Sequence, residues 1–208
     1  MLNIAVLVSG GGTNLQALID AWQSGGIKNG NIACVISSKP GVYALERAEK
    51  AGLPKEVLVR REYASAQAYE TALVGLFQKY HIDLIVLAGF MTIIGPNVTR
   101  RYENRIINVH PALIPSFCGE GYYGLRVHQA ALDKGVKVTG ATVHFVNEIC
   151  DGGPIILQKA VEVAENDTAE SLQHRVMQQA EWKLLPKAVS LFCEGKIEVK
   201  DGKTIIHE

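Results

Sequence analysis

The chain has 208 residues, 48% of them hydrophobic, which excludes a disordered segment and suffices for one α/β domain. Lys and Arg number 21 and Asp and Glu 21, giving a formal net charge of zero. A surface that coats nucleic acid is therefore not expected, and a small-molecule enzyme is.

Ile4 to Val8 is a continuous apolar run, predicted as a strand covered on both faces. Ser9-Gly10-Gly11-Gly12-Thr13-Asn14 follows and leads into Leu15 to Ile19, which has helical spacing. Strand, glycine turn and helix together offer backbone N–H groups and a helix dipole to an anion. The same glycines also suit a tight turn that only needs positive φ, and the residues leave both readings open. The turn is neither a Walker A loop nor GxGxxG. Ile32 to Ser38 predicts a second strand, Tyr43 to Ala51 a helix closed by Gly52 and Pro54, and Val57 to Val59 a short third strand. Ala66 to Tyr80 predicts a longer helix. Leu84 to Met91 is the most apolar strand and is expected at the sheet centre, with Gly89 where a ligand approaches the backbone. Strands alternating with helices predict an α/β fold with a doubly wound, mostly parallel twisted sheet.

In Arg105 to Pro115 an apolar strand carries Asn108 and His110 two residues apart, so both point to one face. Ser116 to Gly124 holds three glycines and three aromatics and reads as a ligand-facing loop. Val127 to Leu132 predicts a short helix, and Val138 to Val146 alternates as a strand does. Asn147 to Gly153 is a turn-rich connection, and Pro154 to Val161 an antiparallel strand. Thr168 opens a long helix to about Glu194, with Pro186 as a kink. Lys196 to Ile206 forms a hairpin turning on Asp201-Gly202. With neither repeat nor linker, residues 1–208 are expected as a single domain with a phosphate-binding half, 1–104, and a catalytic half, 105–208. The cysteines Cys34, Cys118, Cys150 and Cys193 have no Cys-x-x-Cys spacing, so free thiols in a cytoplasmic protein are expected, without zinc. No apolar run reaches the ~20 residues of a membrane span, and no secretory leader is visible.

Of the histidines, His81, His174 and His207 read as surface groups and His128 stays open. His144 reads as a structural histidine of its strand. His110 reads as functional, with the carboxylate of Asp151 as its partner. A nearby carboxylate favours imidazolium, and such a ring donates a hydrogen bond or proton to a developing oxyanion. An Asn carboxamide adds a second donor. Two donors and a carboxylate suit acyl transfer in which the substrate brings the nucleophile. Ser116 and Cys118 lack a nucleophile elbow, and Cys150 reads as a half-buried structural thiol.

The motifs Ser9 to Ala17, Leu87 to Met91, Asn108 to Pro115, Val143 to Val146 and Asp151 to Pro154 occur in an order that resembles the folate-dependent phosphoribosylglycinamide formyltransferase family. The resemblance spans essentially the whole chain. It implies a Rossmann-like formyltransferase fold with antiparallel strands in the C-terminal half. It also implies transfer of the formyl group of 10-formyltetrahydrofolate to glycinamide ribonucleotide, without a metal. Gly12, Thr13 and Asn14 would hold the phosphate, and Glu181, or its neighbour Gln178, the ribose. Met91, Thr92, Ile93 and Ile94, with Asn108, Asn147, Glu148, Ile149, Cys150 and Asp151, would line the folate site. Asn108, His110 and Asp151 would be the catalytic trio, with Asp151 raising the pKa of His110. Small molecules would be the only ligands, with no nucleic acid or membrane partner, and the chain a monomer or homodimer. Thr92 and Ala66 stand where some members carry Arg, and the Phe117 to Gly124 loop is longer than the common version. A formyltetrahydrofolate hydrolase or another formyl-folate transferase is the competing reading within the fold. A nucleotide-binding module without catalysis is the competing reading outside it.

Overall fold

Continuous apolar strands can be stable only when both faces are covered, and the computed structural model, which describes residues 1–207, is built that way. In strand β1 (Leu2–Val8), Ile4, Val6 and Val8 join one core cluster and Ala5 and Leu7 the other. Helices α1 (Thr13–Gln23) and α2 (Tyr43–Lys50) cover the first face, together with α6 (Ala169–Val176) and α7 (Trp182–Cys193). Helices α3 (Ala66–Lys79) and α4 (Pro96–Arg101) cover the second through Tyr69, Leu73, Phe77 and Val98.

The remaining strands are β2 (Gly30–Ser37), β3 (Lys55–Val57), β4 (Leu84–Leu87), β5 (Ile106–His110), β6 (Val138–Phe145) and β7 (Ile155–Glu162). They form one seven-stranded sheet in the order β3-β2-β1-β4-β5-β6-β7. Pairing is parallel from β3 to β5, then antiparallel for β5 with β6 and for β6 with β7. The order reverses between β1 and β4, and ligands of open α/β sheets bind at such a reversal, beyond the carboxyl ends of the strands. Helix α5 (Leu125–Lys134) connects β5 to β6, and a hairpin of β8 (Ile197–Lys200) and β9 (Lys203–Ile206) ends the described chain.

The β4 strand lies at the sheet centre, as expected, but stops at Leu87 because the chain turns out of the ladder at Gly89, φ 74°. The third strand is two residues earlier than the apolar triplet Val57 to Val59. Its edge position against Val35 to Ser37 selects Lys55–Val57, and Leu58 turns inward instead. The α4 helix went unpredicted, since six residues are too short to show a period. The long C-terminal helix begins at the Thr168 cap, where Thr168 and Ser171 form a reciprocal capping box. It is interrupted over Met177–Glu181 by a turn of π-type hydrogen bonding. Pro186 itself lies inside α7, and it lacks the N–H that the carbonyl four residues earlier would accept. The irregularity appears in the turn before the proline rather than at it.

Gly153 marks where the connection between β6 and β7 closes most tightly. A Cβ there would fall on the Phe145 carbonyl oxygen. Gly153→Ala is expected to destabilise the chain by about 1–3 kcal/mol, the usual cost of overpacking. Equilibrium denaturation measures it, and a smaller loss would mean that this connection is loosely packed.

Candidate active site

The glycine turn leaves the end of β1 and enters α1. Gly12 is the N-cap residue with φ 72° and ψ 34°, and no side chain caps the helix. A Cβ on Gly12 would stand 2.7 Å from Ala44 Cβ, so glycine is required by space as well as by φ. The tight-turn reading therefore holds at Gly12, and no side chain among the described residues caps the first turn. Arg47 Nε donates to the Gly11 carbonyl at 2.9 Å behind the turn. Thr13 is half-buried at the first helical position. Asn14 is buried, and its Nδ2 donates to Glu181 Oε2 at 2.7 Å across 167 residues of sequence. Asn14 Oδ1 has no hydrogen-bond partner among the described residues. Burial pushes the Glu181 carboxyl up to about 7, and the Asn14 hydrogen bond opposes this only in part. Gln178, in the π-type turn, is exposed. Glu181, not Gln178, meets Asn14.

Asn108 and His110 lie on β5 with their side chains on the α3 side of the sheet, one step beyond Ile106. The antiparallel register sets Asn108 opposite His144 and His110 opposite Thr142. Asp151, at φ 54°, turns back over this patch from the connection after β6. His110 Nδ1 lies 3.4 Å from Asp151 Oδ2, and His144 Nε2 lies 3.6 Å from Asp151 Oδ1. The Gly119 N–H donates to Asp151 Oδ2 at 2.9 Å. The tautomers follow from the acceptors, because a carbonyl can only accept. His144 Nδ1–H donates to the Phe145 carbonyl at 2.7 Å, and its Nε2 faces both Asn108 Nδ2 at 3.2 Å and Asp151 Oδ1. His110 Nε2–H donates to the Phe117 carbonyl at 2.8 Å, and Nδ1 faces Asp151 Oδ2.

Burial pushes the His110 pKa below its ordinary value of 6.5, against the Asp151 carboxylate and the Phe117 carbonyl, which push it up. The expected raised pKa is thus corrected: the ring is 4% exposed, and desolvation outweighs the carboxylate. Asp151 is the reverse case. Burial alone would raise it, but the His144 contact, the Gly119 amide and the two imidazole rings hold it below the usual carboxylate range. His144, read from sequence as a structural residue, is part of this cluster. Its alternation with Thr142 was visible, but its place opposite Asn108 depends on strand register. Cys150 is exposed rather than half-buried, because it sits at the outer edge of the turn.

A cavity of about 990 Å³ opens at Asp151, lined by Asn147, Glu148, Cys150, Thr99 and Pro115 among others. Ile149, 68% exposed, lies beside it. Glu148 is held by Arg100, Nε to Oε1 at 2.6 Å. Met91, Thr92, Ile93 and Ile94 do not line this cavity. Met91 and Ile93 are exposed at 49% and 80%, while Ile94 packs into the core beside Tyr69 and Leu58.

Glu181 carries a pH prediction. Its folded pKa of about 7 lies above the ordinary 4.5, so its contribution to stability is present below pH 4.5 and is lost as pH rises through 7. At 1.36 kcal/mol per pKa unit the full span is about 3 kcal/mol. Glu181→Gln removes the titration. The variant should gain stability relative to the parent between pH 5 and pH 8, measured by denaturant melts at both values. A constant difference would contradict the buried, protonatable Glu181.

Residues 2–189 match the formyl transferase family. The chain is 42% identical over 202 residues to the phosphoribosylglycinamide formyltransferase of Haemophilus influenzae, covering 97% of this chain and 92% of that protein. The crystal structure of glycinamide ribonucleotide transformylase 1 from Symbiobacterium toebii superposes with a TM-score of 0.94 at 42% identity, covering 100% of this chain and 95% of that one. A formyltetrahydrofolate deformylase from Pseudomonas syringae pv. tomato is more distant, with a TM-score of 0.88 at 28% identity, covering 100% of this chain and 66% of that one. The glycine turn, the strand that carries Asn108 and His110, and the turn that carries Asp151 all lie within the matched residues: the chain belongs to the formyl transferase family.

Proposed function

We propose that the chain transfers the formyl group of 10-formyltetrahydrofolate to the glycine amine of N1-(5-phospho-D-ribosyl)glycinamide, giving the N2-formyl product and tetrahydrofolate in purine biosynthesis. The observation that carries the reading is the convergence of Asn108, His110 and Asp151 on one patch from elements forty residues apart. Their relatives' names supply the substrate class. On this reading the ligands are two small molecules, the setting is the cytoplasm and the chain acts as a monomer or homodimer.

The uncapped first turn of α1, from Gly12 to Asn14, takes the phosphate. Glu181, fixed by Asn14 beside that turn, accepts from the ribose hydroxyls. The cavity bordered by Asn147 to Asp151 takes the folate, and its volume suits a ligand of that size. The folate supplies a formyl carbon open to attack. The Phe117 carbonyl marks where His110 Nε2–H finds an acceptor, 2.8 Å away, and a formyl oxygen takes that position in the reaction. A neutral His110 donates from Nε2 without first being protonated, and Asn108 offers its second N–H. The attacking amine becomes cationic as its bond to the formyl carbon forms. Asp151, ionised beside it, offsets that charge and passes the proton toward the departing folate nitrogen.

His110→Ala should lower kcat by about 10²–10³-fold, the scale of one lost oxyanion donor, with the ribonucleotide still bound. Unchanged turnover would remove His110 from the mechanism. Asp151→Asn should lower kcat by about 10²–10⁴-fold with little change in the ribonucleotide KM. Tetrahydrofolate release, followed with and without the ribonucleotide, tests the reaction class. Dependence on the ribonucleotide is expected. Equal release without it would identify a hydrolase, as in the deformylase relative.

A further inference from the structure

Two of the segments that line the cavity of about 990 Å³ come from distant parts of the chain. One is Thr99, Arg100, Glu103 and Asn104, in and just after α4; the other is the connection from β6 to β7. A single ion pair joins them. Arg100 Nε donates to Glu148 Oε1 at 2.6 Å and Arg100 Nη2 to Glu148 Oε2 at 3.4 Å, so the guanidinium takes both carboxylate oxygens.

The two sides of this pair are anchored very differently. The α4 helix is fixed: Val98 and Thr99 are buried, and the buried Glu70 carboxylate accepts from the Asn97 N–H at 3.0 Å. The connection is fixed at its ends, where the Val146 N–H donates to the Ile106 carbonyl at 2.8 Å and Asp151 accepts from the Gly119 amide. Between those ends the turn bonds to itself, from the Ile149 N–H to Asn147 Oδ1 and from the Gly152 N–H to the Ile149 carbonyl, both at 3.0 Å. Among the described residues, Arg100 is the one hydrogen-bonding partner that residues 147–150 have outside the turn. Ile149 and Cys150 are exposed, so packing adds little.

We propose that Arg100 is a positioning residue for the formyl-folate: its two-pronged pair with Glu148 holds residues 147–150 against α4 and sets the width of the cavity before the ligand enters. The inference rests on the functional reading above for the identity of the ligand. The two side chains are 73% and 50% exposed, so the pair adds little to overall stability. Its effect is on order, because a wall that must be immobilised on binding weakens affinity. Asp151 keeps the Gly119 amide and its two histidine neighbours, so turnover at saturating folate is spared.

Calorimetric binding of 10-formyltetrahydrofolate to the full chain, with steady-state kinetics, tests this. Arg100→Ala and Glu148→Ala should each raise the folate Kd and KM about threefold, the scale of an exposed ion pair. The double variant should bind no more weakly than either single one, as coupled residues do. The exchange of Arg100→Glu with Glu148→Arg should restore the folate constants, while kcat and the ribonucleotide KM change by less than about twofold throughout. Tighter folate binding by Glu148→Ala would overturn the proposal, since it would make Arg100 a direct partner of the anionic folate that Glu148 competes for. Additive losses in the double variant, or a fall in melting temperature with unchanged folate constants, would overturn it as well. If the Kd pattern holds and the parent transfers no formyl group, the positioning role stands and the functional reading falls. If the parent does not bind the folate, both fall.

Discussion

The site depends on one strand pairing. Because β6 runs antiparallel to β5, His144 stands opposite Asn108 and Thr142 opposite His110. The end of β6 lies beside Ile106 and Ile107 at the start of β5, and the connection that follows folds back over the sheet face to place Asp151 beside His110 and His144. Gly153, packed on the Phe145 carbonyl, closes the turn tightly enough to hold Asp151 at φ 54°. The five parallel strands supply a different part of the site, the reversal between β1 and β4 and the helix N-terminus beside it.

Two buried carboxyls show how much the local partners decide. Glu181 has one side-chain hydrogen bond, from Asn14, and burial wins, taking it up to about 7. Asp151 has the Gly119 amide and two imidazole rings, and these win over burial. The first is a group that changes charge near pH 7. The second is held below the usual carboxylate range beside two imidazole rings. For His110 burial pushes the pKa down, against Asp151 and the Phe117 carbonyl, while Nε2–H donates to that carbonyl. Desolvation and specific partners act on all three, and geometry sets the balance.

Much of the fold was legible because the driving pattern is local. Continuous apolar runs marked the parallel strands, and Thr168 with Ser171 marked a helix start that is present as a capping box. The errors lie where a neighbour decides. β3 took its bounds from pairing with β2, β4 stopped where Gly89 turned the chain, and the C-terminal helix changed its hydrogen bonding ahead of Pro186. At the site, Asn108, His110 and Asp151 could be singled out by residue type and by the two-residue spacing on a strand. His144 could not, because a histidine in an alternating strand looks alike whether it faces a core or a carboxylate.

The sequence by itself determined the order of elements, the glycine turn ahead of α1, the shared face of Asn108 and His110, and the family to which the motifs point. Those features are written in periods of two and 3.6 residues and in residues with restricted backbone, which act over a few positions. Packing brings Asp151 to His110, sets Asn14 against Glu181 across 167 residues, and buries His110 so that its pKa falls. Charge state and contact between distant residues depend on what surrounds each group after packing. Desolvation, unlike spacing, has no counterpart in the order of the residues.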